Sequence, residues 1–337
     1  MRRIVWTVVG LAVSALALLL AFARVHVDGG LRIVPRFSIA SLRYAIAAAR
    51  PGWLAAYLAL NLTSLAARAL QLRALCRRRD GTPPSLAATY HAVAIGMLAQ
   101  NLLPARLGEA ARIVALAKAD DVAPSEATGA VVLGRVLDLV ALLLATCVPA
   151  LVLGFDAGLP RLGTIAAVGT GVALALTLAL FALYRFRAAV TRAATQLSAR
   201  FGRAIGGFLD GLSALGSPRR LLAATLPSLA APLLVAASYA CALHAFALGW
   251  LPAGSSLVLV AVVFLAVAVP SAPSSVGVYH AAVTWLLPAL GAPPPTAAAF
   301  AIVTHALGTT SFLILGLISF LRVGITLRPA PQANPRP

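Results

Sequence analysis

Asn101-Leu102-Leu103-Pro104-Ala105-Arg106-Leu107-Gly108-Glu109-Ala110-Ala111-Arg112 places two arginines, a glutamate, an asparagine and a helix-breaking proline inside apolar sequence. Lipid neither hydrogen-bonds a backbone carbonyl freed by Pro104 nor solvates Arg106, so in a membrane such a stretch persists only against protein or a watery cavity. If the chain is helical beyond Pro104, Arg106, Glu109 and Arg112 recur every three residues and Glu109 lies within reach of either arginine. Two readings follow. One is an ion-pair cluster that holds helices together; the other is an anion site on a transport path.

Around this stretch, 61% of the 337 residues are hydrophobic and 11% charged, and apolar runs of spanning length recur along the chain. Each crossing needs about 20 residues. The composition therefore predicts an all-α polytopic membrane protein, with no polar stretch long enough for a separate soluble domain. The formal charge of +18 comes from 27 basic and 9 acidic residues. The arginines are scattered through short connections, which fits anionic lipid headgroups and excludes a continuous nucleic-acid face. Cys76, Cys147 and Cys241 lie far apart with no CxxC pair, so no disulfide framework, metal site or cofactor is expected.

Six full spans are predicted: Ile4 to Ala23, Trp53 to Leu75, Ser125 to Leu153, Gly163 to Tyr184, Leu221 to Leu248 and Ala297 to Leu321. The first follows Met1-Arg2-Arg3 without a small-residue cleavage site and reads as a retained helix. Pro35 to Arg50 mixes arginines with apolar residues as an interfacial amphipathic helix does, and Phe201, Ile205, Phe208, Leu212 and Leu215 suggest a second one lying on the bilayer. Arg77-Arg78-Arg79, the basic connection from Arg185 to Arg220, and Arg322 with Arg328 should be cytoplasmic, which puts both termini inside. The Pro-rich tail, 323–337, reads as disordered.

These anchors force Leu86 to Ala117 to begin and end on the cytoplasmic side and Leu257 to Leu290 to begin and end outside. Both are then re-entrant hairpins, broken at Pro104 and Gly108 in the first and at Pro270, Pro273 and Gly277 in the second. Each sits between two spans, so residues 53–153 and 221–321 form a candidate inverted repeat within a membrane domain of residues 1–322. Interrupted helices in inverted repeats are the pattern of alternating-access transporters. Against this layout, the predicted external stretch from Arg24 to Arg50 holds five arginines, contrary to the positive-inside tendency.

Asn101 to Arg112, Arg135 with Asp138, and Pro270-Ser271-Ala272-Pro273-Ser274-Ser275-Val276-Gly277-Val278-Tyr279-His280 together carry a resemblance. The chain resembles the flippase-like transmembrane family of lysylphosphatidylglycerol synthases over roughly residues 5 to 322. In that family an N-x-x-P-x-R-x-G-[DE]-x-x-R motif precedes R-x-x-D, and P-x-x-P-G-x-x-G comes late. The first falls on Asn101, Pro104, Arg106, Gly108, Glu109 and Arg112, the second on Arg135 and Asp138, the third on Pro270, Pro273 and Gly277. Departures are Ser274-Ser275 where glycines are usual, His280 where many relatives carry glutamate, and His305 where many carry arginine. If the two histidines face each other, an acid–base pair has become titratable near neutrality.

The resemblance implies a lipid flippase of the bacterial inner membrane that moves an anionic phospholipid or lipid-linked molecule. Asn101, Arg106, Glu109, Arg112, Arg135, Asp138, Tyr279, His280 and His305 are the candidate substrate-binding residues. The guanidinium fork suits phosphate, and the prolines and glycines shape the helix breaks. Bifunctional members carry a soluble aminoacyl-transferase domain after the membrane part; residues 1–337 contain none, so only the lipid-translocating half is implied. The alternatives are an intramembrane lipid-modifying enzyme, for which no nucleophile elbow, metal pattern or phosphate loop is present, and a non-transporting scaffold in a lipid-biosynthesis pathway.

Overall fold

The computed structural model describes residues 2–26, 32–103, 107–152, 162–268 and 271–324. Pro104, Arg106 and Pro270, and nearly all of the tail read as disordered, lie outside them. The architecture is that of an all-α polytopic membrane protein. The six predicted spans are the helices α1 (Arg2–Phe22), α3 (Pro51–Leu75), α6 (Pro124–Val152), α7 (Leu162–Arg185), α10 (Pro218–Ala245) and α13 (Pro294–Val323). All but α1 are long and apolar enough to cross over their described residues alone. At 1.5 Å per residue, the 21 residues of α1 also reach about 30 Å.

The two interrupted stretches are helical hairpins: α4 (Leu86–Leu102) with α5 (Gly108–Asp120), and α11 (Ser255–Ala268) with α12 (Val278–Ala289). Their arms of 17, 13, 14 and 12 residues extend about 18–25 Å, short of the ~30 Å hydrocarbon core. α4 and α5 run antiparallel. The Ser85 N–H, which opens α4, is bonded by the Asp120 carboxylate that closes α5, and Gly96 lies against Gly108 where a side chain on either would meet the other's carbonyl. The base of the second hairpin lies at the opposite end of the molecule, where Trp250 approaches Gly291, the Arg50 N–H donates to the Ala245 carbonyl (2.9 Å) and Trp53 stacks on His244 (4.9 Å). The two tips meet: Ser274 Oγ donates to the Asn101 carbonyl at 3.0 Å.

α3 and α10 lie side by side and antiparallel. Tyr57 pairs with Tyr239, Gln71 with Ser228, and the Leu75 carbonyl with Arg220. α3, α4, α5 and α6 begin at residues 51, 86, 108 and 124; α10, α11, α12 and α13 begin at 218, 255, 278 and 294, a near-constant separation of 167 to 170 residues.

Two features differ from the sequence reading. Between α1 and the short amphipathic helix α2 (Ile39–Ala47) the chain forms a two-stranded antiparallel ribbon, β1 (Ala23–His26) and β2 (Arg32–Pro35). Asp28-Gly29-Gly30 between β-branched residues is the readable signal for it. The basic connection after α7 forms α8 (Arg187–Leu197) and α9 (Ala199–Gly211), and α9 does not present its apolar face to lipid. Ile205, Phe208, Leu209 and Leu212 join the core cluster of α3, α4 and α6, while Phe201 stays 47% exposed. Gly207 and Gly211 make that docking possible, because a Cβ on either would strike Ser125, Glu126 or Ala130 of α6. Close backbone approach over small residues is a common membrane-helix packing device.

Candidate functional site

The ionic residues gather where α3, α5, α6 and α10 converge. The polar spacing that made α5 unusual puts Glu109 and Arg112 one turn apart, and Arg112 Nη1 lies 3.3 Å from Glu109 Oε2. Glu109 Oε1 is paired with Arg135 Nη2 of α6. Arg135 Nη1 also reaches Asp138 Oδ2 at 3.1 Å, and Arg68 of α3 reaches the same oxygen at 3.3 Å. Gln71 Nε2 donates to Asp138 Oδ1 and to Ser228 Oγ, both at 2.7 Å, and to the Gly134 carbonyl at 3.1 Å.

Among the described residues, three guanidinium groups thus face two carboxylates, one positive charge more than negative. Arg112 is buried at 7% exposure, and its Nε has no hydrogen-bond partner among the described residues; Glu109 Oε2 sits at ion-pair distance without hydrogen-bond alignment. Arg135 and Glu109 lie eleven residues in from the first residue of α6 and the last of α5, about 16 Å along each helix axis. A charge at that depth stays only with partners. Beside Arg112, Arg135 and Asp138 is a cavity of about 10 Å³, room for about one water. A much larger cleft, about 730 Å³, opens between α8 and α9 beside Arg187 and Arg192; it is an exposed groove away from every buried charge.

The later motif forms a second cluster. The tip between α11 and α12 places Ser274 and Ser275 in left-handed backbone, φ 58° and 55°, where glycine is the easier residue. Ser274 offsets that cost with bonds at both ends: its Oγ to Asn101 and its carbonyl to His305 Nε2 at 2.9 Å. Gly277 follows at φ 93°, and its N–H donates to His280 Nδ1 (3.5 Å), which caps α12. The His280 and His305 rings meet edge to face at 4.8 Å, and Tyr279 stacks on His305 at 4.9 Å. Tyr279 points inward, 6% exposed, its hydroxyl bonded to that of Thr304 at 2.9 Å.

Of the candidates read from the sequence, Glu109, Arg112, Arg135 and Asp138 come together in the first cluster, and Tyr279, His280 and His305 in the second. Asn101 stands between the hairpin tips, its side chain donating to the Met97 carbonyl at 2.8 Å. Arg106 lies outside the described residues. Sequence reading missed Arg68, Gln71 and Ser228 as members of the first cluster. Arg68 has the look of a helix-end arginine, and Gln71, three residues on, shares its face of α3.

The match that decides the family covers residues 7–316 and is to the model of the lysylphosphatidylglycerol synthase transmembrane region. The chain belongs to that family. Curated proteins and solved structures give no match. As a lysylphosphatidylglycerol synthase transmembrane-region protein, the chain is an integral, multi-pass membrane protein of lipid-related processes. The match takes in both hairpins and both clusters.

Proposed function

We propose that this protein is a lipid flippase that carries an anionic phospholipid or lipid-linked molecule across the bacterial inner membrane, with both termini cytoplasmic. One observation carries the reading: among the described residues, three guanidinium groups stand against two carboxylates well inside the helices, including a buried Arg112 whose Nε has no hydrogen-bond partner there. A phosphodiester supplies the missing charge and accepts two parallel hydrogen bonds from a guanidinium. Glu109 and Asp138 hold the arginines until a headgroup arrives. The acyl chains remain in lipid throughout.

Room for about one water does not admit a headgroup, so α5 separates from α6 when lipid binds. The antiparallel α3/α10 pair and the recurring element spacing support an inverted repeat of 53–153 and 221–321, with α4–α5 and α11–α12 as re-entrant hairpins entering from opposite faces. Alternating access then amounts to exchanging which hairpin tip is loosened. The carboxylates are engaged by guanidinium groups rather than aimed at a reacting atom, so the reading is a carrier and not an enzyme. Membrane lipids are its partners, and nucleic acid is not.

The test is translocation of a fluorescent phosphatidylglycerol in proteoliposomes. Wild type is expected to move lipid between leaflets, and Arg112→Gln to slow it at least ~10-fold, the effect of losing one charge-assisted bond of roughly 1.5–3 kcal/mol. A folded, monodisperse Arg112→Gln protein with the wild-type rate would remove the assignment.

A further inference from the structure

The second cluster is the positional counterpart of the first. Glu109 and Arg135 touch across a separation of 26 residues, and Tyr279 and His305 touch across the same separation. Each later residue is displaced by 170, the displacement between the starts of α5 and α12 and between those of α6 and α13. Where the first half sets a carboxylate against the guanidinium, the second sets Tyr279 against His305, with His280 beside the same ring. It also holds no acid: from Gly211 to Pro337 there is neither Asp nor Glu.

We propose that His280 and His305, when protonated, form a second anion site that takes the phosphate group carried by the first. This rests on the flippase reading and adds to it a coupling of headgroup binding to protons. Protonation needs a counter-charge in so buried a place. The groups facing the pair are Phe22 of α1, the Ser274 carbonyl, the Gly277 N–H, Tyr279 and, through Thr304, Tyr57 of α3. α1, α2, α3, α4, α11, α12 and α13 carry no carboxylate. Their titratable or cationic side chains besides tyrosine and the pair itself are Arg2 and Arg3 on α1, Arg43 on α2, Arg68 and Arg73 on α3, His91 on α4, bonded to Ser319, and Arg322 on α13. Asp28 and Arg106 lie outside the described residues.

α10, which also touches α13, adds Arg219, Arg220, Cys241 and His244 and no carboxylate, and the carboxylates of α5, Glu109 and Asp120, are engaged by Arg112 and Arg135 and by Arg78 and the Ser85 N–H. An arriving phosphate is then the counter-charge, so anion and proton favour each other's binding reciprocally. The tip registers the event directly. His280 Nδ1 now accepts from the Gly277 N–H, and a proton on that nitrogen ends the bond and uncaps α12. The hairpin tip is thereby loosened when the second site is loaded.

The experiment is a histidine NMR titration of the full chain, labelled in its five histidines, in unlabelled nanodiscs. His280→Gln and His305→Gln serve only to assign signals, and His244, stacked on Trp53 at the far end, corrects for surface potential. Three arms are compared: phosphatidylcholine alone, phosphatidylcholine with phosphatidylglycerol, and phosphatidylcholine with inorganic phosphate. The expected result is a midpoint for His280 or His305 raised by about 1 unit beyond any change at His244 in the phosphatidylglycerol arm, a tenfold gain in proton affinity. The same rise with inorganic phosphate alone supports the anion site and overturns a lipid headgroup as its only source. Midpoints that move no more than His244 in either arm overturn the proposal. If wild type still translocates lipid in that case, the flippase reading stands without the second site; if it does not, that reading fails on its own account.

Discussion

Glu109→Leu is expected to lower the free energy of unfolding by about 3–5 kcal/mol, the usual cost of stranding a buried charge by removing its partner. Glu109 lies between Arg112 and Arg135. Arg135, with 40% of its side chain exposed, recovers much of its loss from water, so the effect comes through Arg112, whose side chain is 9% exposed. Removing the stranded charge as well, in Glu109→Leu/Arg112→Met, should restore most of the stability, because an apolar pair of similar volume tolerates the site. Thermal unfolding of the three proteins in one detergent measures this. Equal midpoints for the wild type and the single variant would show that the pair is solvated and not buried.

Gly277→Val should cost roughly 1 kcal/mol for its backbone and a further ~1–3 kcal/mol for overpacking. Gly277 holds φ 93°, a conformation that a β-branched residue resists, and a Cβ there would strike the Ser14 carbonyl of α1. That wall is already fixed by the Ala272 N–H, which donates to Ser14 Oγ at 2.7 Å, so α1 cannot withdraw without losing a buried bond. Gly171→Val on α7 is the control, since nothing lies within 4 Å of the added carbon. The expected outcome is a lowered unfolding midpoint for Gly277→Val and little change for Gly171→Val. If the two variants behaved alike, α1 would not be packed on the hairpin tip.

The span helices were legible because their signal is local: a run of about 20 apolar residues bounded by arginines fixes a helix whatever its neighbours are. Both hairpins were legible for a related reason, since Gly108, Pro273 and Gly277 interrupt apolar runs too short to cross twice. What the sequence could not supply was partnership across helices. Arg68 looks like a helix-end cation in α3, and only the folded chain shows it bonded to Asp138, 70 residues later. Ser228 is one small polar residue among many in α10 until Gln71 is placed beside it. The α9 face failed differently: an apolar stripe is the same whether it meets lipid or protein, and what tells against lipid is the close fit of Gly207 and Gly211 on α6, which the sequence alone does not show. The ribbon of β1 and β2 is absent from the sequence reading, which treats the residues before Pro35 only as part of an arginine-rich external stretch.

If the protein carries lipid as proposed, Arg112 and its partners hold an anionic headgroup. Native mass spectrometry of the protein purified from its source membrane tests this most directly, with wild type compared against Arg112→Gln. The expected result is one class of anionic lipid retained by the wild type and lost from the variant while both remain folded. Equal retention of unselected lipid by both proteins would contradict it, and would make the cluster a device for holding helices together.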